Sequence, residues 1–274
     1  MRDMRLSAES VTKTFGKTNR LAGKSTAVRA VDSASVHVEP GDFVAIVGES
    51  GSGKSTLARM LLGLIPADSG VVQLDGVPIS AMNRRQRQQY RAAVQCVLQD
   101  PSGSLNPRKT VRTSLAEVIR FHGIAQGREA VEQKAIETLS LVGLKPETTY
   151  LDRYPHELSG GQRQRVLIAR AIVPNPRIII ADEAVSALDV SVKSGILKLM
   201  NDLRVRLGIG YILITHDLPV VKKVADYVYV IKSGQVVEEG PTAQIFADPQ
   251  HEYTKTLLAA APDLDLVLAD RFGE

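Results

Sequence analysis

A phosphate-binding loop is indicated by residues 48–55, which read Gly-Glu-Ser-Gly-Ser-Gly-Lys-Ser. Its three glycines let the backbone turn successive N–H groups toward one anion, and the first turn of a following helix adds partial positive charge. In such a loop we expect Lys54 to contact the β- and γ-phosphates of a nucleotide and the Ser55 hydroxyl to ligate Mg²⁺. The alternative is a glycine-rich turn that fits the pattern by chance.

The segments on either side of the loop have the periodicity that this chemistry requires. Residues 43–47 form a short apolar run that predicts a buried strand, and residues 55–62 predict a helix. A strand, a glycine-rich loop and a helix in this order favour nucleotide binding over a chance turn. The predicted nucleotide contacts of the loop are Gly48, Glu49, Ser50, Gly51, Ser52, Gly53, Lys54, Ser55 and Thr56.

Two acidic residues follow another predicted strand. The predicted strand at residues 177–181, Arg-Ile-Ile-Ile-Ala, runs directly into Asp182 and Glu183. Because ligands of open α/β sheets gather at the carboxyl ends of the strands, Asp182 is a candidate ligand for Mg²⁺ or for its water. On an extended backbone the next side chain points the other way, so Glu183 is a candidate general base that faces an attacking water. The alternative is that this pair caps the following helix.

Polar residues also end two further predicted strands. Residues 94–98 run into Gln99, and residues 211–214 lead through Thr215 to His216. His216 is a candidate contact to the γ-phosphate, and the alternative is a hydrogen-bonded histidine in the core. The strand ends therefore supply several polar groups that could surround a bound phosphate.

The rest of the chain predicts a mixed α/β protein with a helical insertion. Alternating, β-branched residues at 4–11 and 27–38 indicate an N-terminal antiparallel sheet, and the polar residues 16–25 indicate an exposed loop between them. Helical periodicity dominates from about residue 102 to 170, and residues 190–207 have the length of a crossover helix between parallel strands.

The C-terminal part of the chain predicts two further features. Residues 227–239 have the pattern of a hairpin with a turn at Ser233 and Gly234. Residues 241–274 are predicted to be helical and peripheral.

Composition excludes several classes of protein. With 274 residues and 44% hydrophobic residues, the chain can bury a substantial core. No apolar run reaches the ~18 residues of a membrane span and no signal-peptide core follows the N-terminus, so we expect a cytosolic location. The single cysteine, Cys96, excludes an intramolecular disulfide and is expected to be a small buried hydrophobe.

The net charge of +4 gives no support for nucleic-acid binding. No lysine or arginine run is interleaved with aromatic residues. The densest basic cluster consists of Arg84, Arg85, Arg87 and Arg91. We expect these arginines to form a solvated helix face rather than a site for a partner.

Residues 158–162, Leu-Ser-Gly-Gly-Gln, resemble the signature sequence of ABC-type ATPases, the nucleotide-binding subunits of membrane transporters. Gln99 then corresponds to the Q-loop of that family, residues 186–189 to its D-loop and His216 to its switch histidine. The resemblance runs from about residue 4 to residue 262. It implies that the signature loop contacts the γ-phosphate held by another subunit, so that two ATPase domains close head to tail around two ATP molecules.

The resemblance also implies a fold and a set of site residues. The fold is α/β: a P-loop NTPase (RecA-like) core with an N-terminal antiparallel β-subdomain and an inserted α-helical signature subdomain at about 102–170. The ATPase domain would span residues 1–250, and residues 251–274 would form a C-terminal extension. Further implied nucleotide contacts are Phe15, Ser159, Gly160, Gly161, Gln162 and Asp189; implied catalytic residues are Glu183, His216 and Gln99; implied metal ligands are Ser55, Gln99 and Asp182.

Two stretches narrow the resemblance to the ATPases of oligopeptide, dipeptide and nickel importers. These are residues 104–111 and residues 245–254, and the Leu-Asn-Pro-Arg sequence at 105–108 resembles the second, F-type ATPase of such systems. Two departures are present. Ala184 stands where most of the group has proline, and the polar loop after Phe15 could shift the alignment of this adenine-stacking candidate, whose alternative is a core phenylalanine.

The resemblance implies an importer ATPase that binds ATP and Mg²⁺ at the cytoplasmic face of the cell membrane. The expected partners are a paralogous ATPase subunit, two integral membrane permease subunits and, indirectly, an extracytoplasmic solute-binding protein, with no nucleic acid. Peptides are the expected solute, with nickel as the alternative. Two other classes compete with this interpretation: a soluble ABC-type clamp on ribosomes or DNA, and a catalytically inactive regulatory subunit.

Overall fold

The computed structural model describes residues 5–16, 27–98, 104–186 and 188–261. Predictions for Gln99, Ala187, the loop at 17–25 and the tail beyond residue 261 lie outside these residues. The described chain divides into two compact units. The first contains the residues up to 83 and from 211 onward, and the second contains residues 84–210.

The first unit opens with an antiparallel sheet and the strand that leads to the loop. Its elements up to residue 83 are β1 (Leu6–Phe15), β2 (Val28–Val38), β3 (Phe43–Val47), α1 (Lys54–Leu61), β4 (Ser69–Leu74), β5 (Val77–Pro78) and a 3₁₀ turn at Ile79–Ala81. β1 pairs antiparallel with β2 on one side and with β4 on the other. The predicted N-terminal antiparallel sheet is confirmed, as is the strand–loop–helix order around residues 48–55.

The second unit combines a parallel strand pair with most of the helices. Its elements are α2 (Arg84–Ala93), β6 (Val94–Val97), α3 (Val111–Phe121), α4 (Arg128–Leu141), α5 (Glu147–Leu151), a 3₁₀ turn at Pro155–Glu157, α6 (Gly160–Ile172), β7 (Ile178–Asp182) and α7 (Val190–Leu207). β6 and β7 are parallel, with Val94 opposite Ile178. The predicted helix at 190–207 is confirmed, and the arginines of α2 are exposed, as expected for a solvated face. Burial raises the pKa of the Cys96 thiol on β6, which disfavours its reactive thiolate.

The chain then returns to the first unit. The remaining elements are β8 (Gly210–Thr215), α8 (Leu218–Val224), β9 (Tyr227–Lys232), β10 (Gln235–Pro241), α9 (Thr242–Ala247) and α10 (Glu252–Ala259). β9 and β10 form the predicted antiparallel hairpin. β3 lies between β8 and β9 and is parallel to both. All five residues of β3 are buried, which explains its continuous apolar sequence.

The described part of the C-terminal segment is helical, as predicted, but it is not wholly peripheral. Ile245 of α9 and Tyr253 of α10 belong to a buried cluster that also contains Ala45 and Val47 of β3 and Val230 of β9. Burial of these apolar side chains stabilises the packing of both helices against the strands. The segment that follows the hairpin therefore contributes Ile245 and Tyr253 to the core of the first unit.

Candidate active site

The phosphate-binding loop begins where β3 ends, and its glycines are required by close backbone contacts. Gly48 has φ +153°, and a Cβ atom there would lie 2.1 Å from the carbonyl oxygen of Ile231. Gly53 has φ +106°, and a Cβ atom would lie 2.1 Å from the carbonyl oxygen of Ala30. No side chain could fit at either position without moving a neighbouring strand. β2 and β9 therefore fix the shape of the loop.

Lys54 lies inside the loop and is only 5% exposed. Its Nζ donates to the carbonyl oxygens of Gly48 and Glu49, at 2.8 and 2.7 Å, and lies 3.4 Å from the hydroxyl of Ser52. The loop thus surrounds its own cation with polar oxygens. An ammonium group held there is suited to move onto the oxygens of a phosphate.

The start of α1 provides a second feature of an anion site. α1 begins at Lys54 with Gly53 as its N-cap; within the described residues no side chain caps this start, and its first turn carries no acidic residue. The partial positive charge of the helix N-terminus is therefore not offset by a local carboxylate. The glycine cradle, Lys54 and the helix start fit a bound phosphate chain.

Asp182 is the last residue of β7 and Glu183 follows the strand, but the backbone at Glu183 is not extended. Its φ is +48°, in the left-handed region. The carbonyl oxygen of Glu183 accepts hydrogen bonds from the backbone N and the hydroxyl of Ser186, at 3.2 and 2.9 Å. The chain turns tightly here, so strand alternation does not set the direction of the Glu183 side chain. A left-handed conformation costs a residue other than glycine about 1–2 kcal/mol.

His216 directly follows β8 and is exposed, so the alternative of a buried core histidine is wrong. The next residue, Asp217, begins α8 as its N-cap and accepts a hydrogen bond from the backbone N of Val220 at 3.2 Å. This cap fixes the backbone immediately after His216. The histidine is thus presented on a defined turn at the end of a buried strand.

The signature stretch forms the start of α6. Ser159 is its N-cap: the Ser159 hydroxyl accepts from the backbone N of Gln162 at 3.3 Å, and the Gln162 side chain accepts from the backbone N of Ser159 at 3.0 Å. This reciprocal pair is a capping box, which a serine followed three residues later by glutamine predicts. A Cβ atom at Gly161 would lie 2.6 Å from Val192 Cγ1, so glycine allows α6 to approach α7.

Two further predicted nucleotide contacts, Phe15 and Asp189, are exposed. The Phe15 side chain is 44% exposed, which rules out the alternative of a core phenylalanine, and the Lys13 ammonium lies 5.9 Å from its ring centroid. Asp189 is the exposed N-cap residue of α7. The roles of Phe15 and Asp189 toward a nucleotide stay predictions.

Each unit carries a part of the predicted site. The first holds the loop, Phe15 and His216; the second holds Asp182, Glu183, the signature stretch and Asp189. Sequence reasoning missed one residue beside the loop, Tyr253, whose hydroxyl accepts a hydrogen bond from the backbone N of Glu49 at 3.0 Å. The available signal for Tyr253 was its place in residues 245–254, the stretch that resembles the ATPases of oligopeptide, dipeptide and nickel importers.

Two family models match the chain. Residues 31–186 match the model described as ABC transporter, and residues 237–271 match the model described as oligopeptide/dipeptide transporter, C-terminal region. Among the described residues, the helices include none with the length and apolar character needed to cross a membrane.

Curated relatives agree with these matches. The chain is 48% identical over 238 residues to the glutathione import ATP-binding protein GsiA of Salmonella paratyphi A, covering 87% of this chain and 38% of the relative. The protein of the same name from Escherichia coli K12 is 47% identical over 235 residues, covering 86% and 37%. The chain thus spans less than two fifths of the length of these relatives.

Solved structures share the fold. CbiO1 from Clostridium perfringens, part of the ABC transporter complex cbiONQ, has a TM-score of 0.76 at 28% identity, covering 90% of this chain and 92% of that chain. The dimeric structure of the bacterial ABC transporter cassette MJ0796 has a TM-score of 0.72 at 28% identity, covering 86% and 98%. The fold is that of an ABC ATPase cassette, as predicted, and the chain belongs to the ABC transporter family.

Proposed function

We propose that this chain is an ATP-binding and ATP-hydrolysing subunit of an importer that takes up small peptides. The observation that carries the proposal is the glycine cradle at Gly48 and Gly53 with the buried Lys54 ammonium inside it. The match of residues 237–271 to the oligopeptide/dipeptide transporter region and the 48% identity to a glutathione import ATP-binding protein support a peptide as the solute.

The chain's own residues would divide the chemistry as follows. Loop N–H groups and Lys54 hold the phosphates of ATP, and Ser55, Asp182 and Gln99 would hold Mg²⁺. The metal ion, when bound, neutralises charge on the phosphate oxygens. Glu183 takes a proton from water, whose oxygen attacks the γ-phosphorus while the bond to the β–γ bridging oxygen breaks, giving ADP and phosphate.

The signature loop would complete the site of a second ATPase subunit. Ser159 is exposed at the start of α6, a helix of 13 residues. A phosphate could approach this helix start from outside the chain. Ser159 and Gly161 would contact the γ-phosphate held by the partner's loop. Closure of two subunits around ATP and their separation after hydrolysis would then drive the membrane subunits.

We expect Ser159→Arg to leave ATP binding to the isolated chain nearly intact while abolishing hydrolysis in the complex. An arginine at this exposed position would obstruct the approaching subunit, and every residue of the chain's own phosphate-binding loop is unchanged. Thr110→Arg is the matched control, because Thr110 caps α3 and accepts from the backbone N of Thr113 in the same way. Each variant loses a cap worth about 1 kcal/mol. Equal loss of hydrolysis in both variants would argue against the shared site.

Assembly provides the test of the importer itself. We propose that the chain is a peripheral subunit at the cytoplasmic face of the membrane, paired head to tail with a paralogous ATPase and bound to two permease subunits, with a solute-binding protein on the other side. Co-expression of these proteins should give a membrane complex whose ATPase activity rises with a peptide-loaded binding protein. Purification of the chain with ribosomes or DNA instead would refute the proposal.

A further inference from the structure

The helix α10 is joined to the phosphate-binding loop by a part-buried hydrogen bond. The hydroxyl of Tyr253 accepts from the backbone N of Glu49 at 3.0 Å, across 204 positions of sequence. Tyr253 is 6% exposed, so the acceptor side of this bond lies inside the protein, whereas Glu49 is exposed. Glu49 is the second residue of the loop. Because its N–H donates to Tyr253, this loop N–H points to a protein oxygen.

Two contacts fix the Tyr253 ring, and a third fixes its backbone. Its ring packs in the cluster that contains Val47, the last residue of β3. The Lys232 ammonium lies 4.7 Å from the ring centroid, a cation–π contact. The backbone N of Tyr253 donates to Nδ1 of His251, the N-cap residue of α10, at 3.0 Å.

The turn that precedes α10 is itself anchored to the hairpin. The carboxylate of Glu238 on β10 accepts from the backbone N atoms of Gln250 and His251, at 2.7 and 3.1 Å. The hydroxyl of Tyr253 is therefore carried by a helix whose start is attached to the sheet. Because the hydroxyl is held by its own helix and sheet contacts, its hydrogen bond restricts the position of the Glu49 backbone.

The backbone of Glu49 is consequently held from two sides. Its N–H donates to Tyr253, and its carbonyl oxygen accepts from the Lys54 ammonium at 2.7 Å. If Lys54 turns to the phosphates of ATP, as the proposed function requires, it must weaken its bonds to the loop carbonyls. The hydrogen bond from the Glu49 N–H to the Tyr253 hydroxyl does not involve Lys54 and can persist through that change.

We propose that Tyr253 is a positioning residue that braces the phosphate-binding loop and so increases its affinity for nucleotide. This inference rests on the proposed function. The benefit arises because a loop already held in its binding shape loses less conformational freedom when the ligand binds. Linkage then requires the reverse effect: a bound nucleotide should stabilise the contact between α10 and the loop.

We expect Tyr253→Phe in the full chain to weaken ATP binding about 3- to 10-fold, the effect of one net hydrogen bond. The ring, its core packing and the cation–π contact are retained. Without nucleotide, the Glu49 amide should exchange its hydrogen faster in this variant than in the wild type, because its acceptor is removed. Binding is measured by titration of a fluorescent ATP analogue with ATP competition.

Tyr229→Phe is the matched control. The Tyr229 hydroxyl also accepts from a backbone N–H in the first unit, that of His37 at 3.2 Å, and the residue is 1% exposed. This variant should leave both ATP affinity and Glu49 exchange unchanged. Equal weakening of ATP binding in the two variants, or faster Glu49 exchange at wild-type affinity, would overturn the proposal.

The two measurements, ATP affinity and hydrogen exchange at Glu49, test this inference separately from the proposed function. A wild-type chain that binds no ATP would contradict the proposed function, and it would also remove any role for Tyr253 in nucleotide affinity. Hydrogen exchange at Glu49 needs no nucleotide and still decides the contact itself: an unchanged rate in Tyr253→Phe would overturn the brace even in a chain that binds ATP normally.

Discussion

Glu183→Gln should reduce ATP turnover by about 10²- to 10⁴-fold, the usual contribution of a positioned general base. The amide is close in size to the carboxylate but does not take up the proton of an attacking water. Both residues pay a similar cost for the left-handed backbone at this position, where φ is +48°. ATP binding should persist, and the complex should stay closed around unhydrolysed ATP.

The measurement is phosphate release at saturating ATP from the assembled complex, with bound ATP determined on the same sample. Glu129→Gln, in the first turn of α4, is the control for loss of one exposed carboxylate in the second unit. Turnover in the control should equal that of the wild type. Undiminished turnover in Glu183→Gln would mean that Glu183 only shapes the turn after β7.

Lys54→Ala should remove most of the affinity for ATP, the second large effect. Lys54 is the side-chain cation inside the loop, and its Nζ already lies among loop oxygens 2.7 to 2.8 Å away. Hydrogen bonds between an ammonium and phosphate oxygens are about twice as strong as neutral ones, and alanine supplies none of them. We expect the ATP dissociation constant to rise by about 10²-fold or more, from the loss of two such bonds at 1.5–3 kcal/mol each.

Arg59→Ala separates this effect from a general loss of positive charge. Arg59 is exposed near the end of the same helix, α1, away from the loop. Equilibrium dialysis with labelled ATP should give wild-type affinity for Arg59→Ala. Thermal unfolding without nucleotide identifies any loss of folded protein in Lys54→Ala, whose removal leaves the carbonyl oxygens of Gly48 and Glu49 without this donor. Equal ATP affinity in the two variants would contradict the assignment of the loop.

Local patterns in the sequence were sufficient to predict the phosphate-binding loop. An apolar run, glycines at fixed spacing and a helix-forming segment are all encoded within about twenty residues, and β3 and α1 appear with bounds within one residue of those predicted. The start of α6 was equally predictable, because the capping box between Ser159 and Gln162 depends on four consecutive residues.

Two features of the site were not predictable in this way. Strand periodicity predicts an extended backbone at Glu183, but its carbonyl oxygen accepts a hydrogen bond from Ser186 in a tight turn that periodicity does not encode. The burial of Tyr253 depends on contacts with β3 and with the loop, the latter 204 positions away, so no local pattern distinguished it from a surface tyrosine. The first feature depends on a hydrogen bond between residues three positions apart, and the second depends on tertiary packing.

The shared site is tested most directly by an ATP analogue with a photoreactive group on its γ-phosphate. In the complex with the paralogous ATPase, the account predicts labelling of this chain at two places: residues 48–56, from nucleotide in its own loop, and residues 159–162, from nucleotide in the partner's loop. Lys54→Ala should abolish the first label and retain the second. Loss of both labels in Lys54→Ala, or no label at 159–162 in the wild-type complex, would contradict the account.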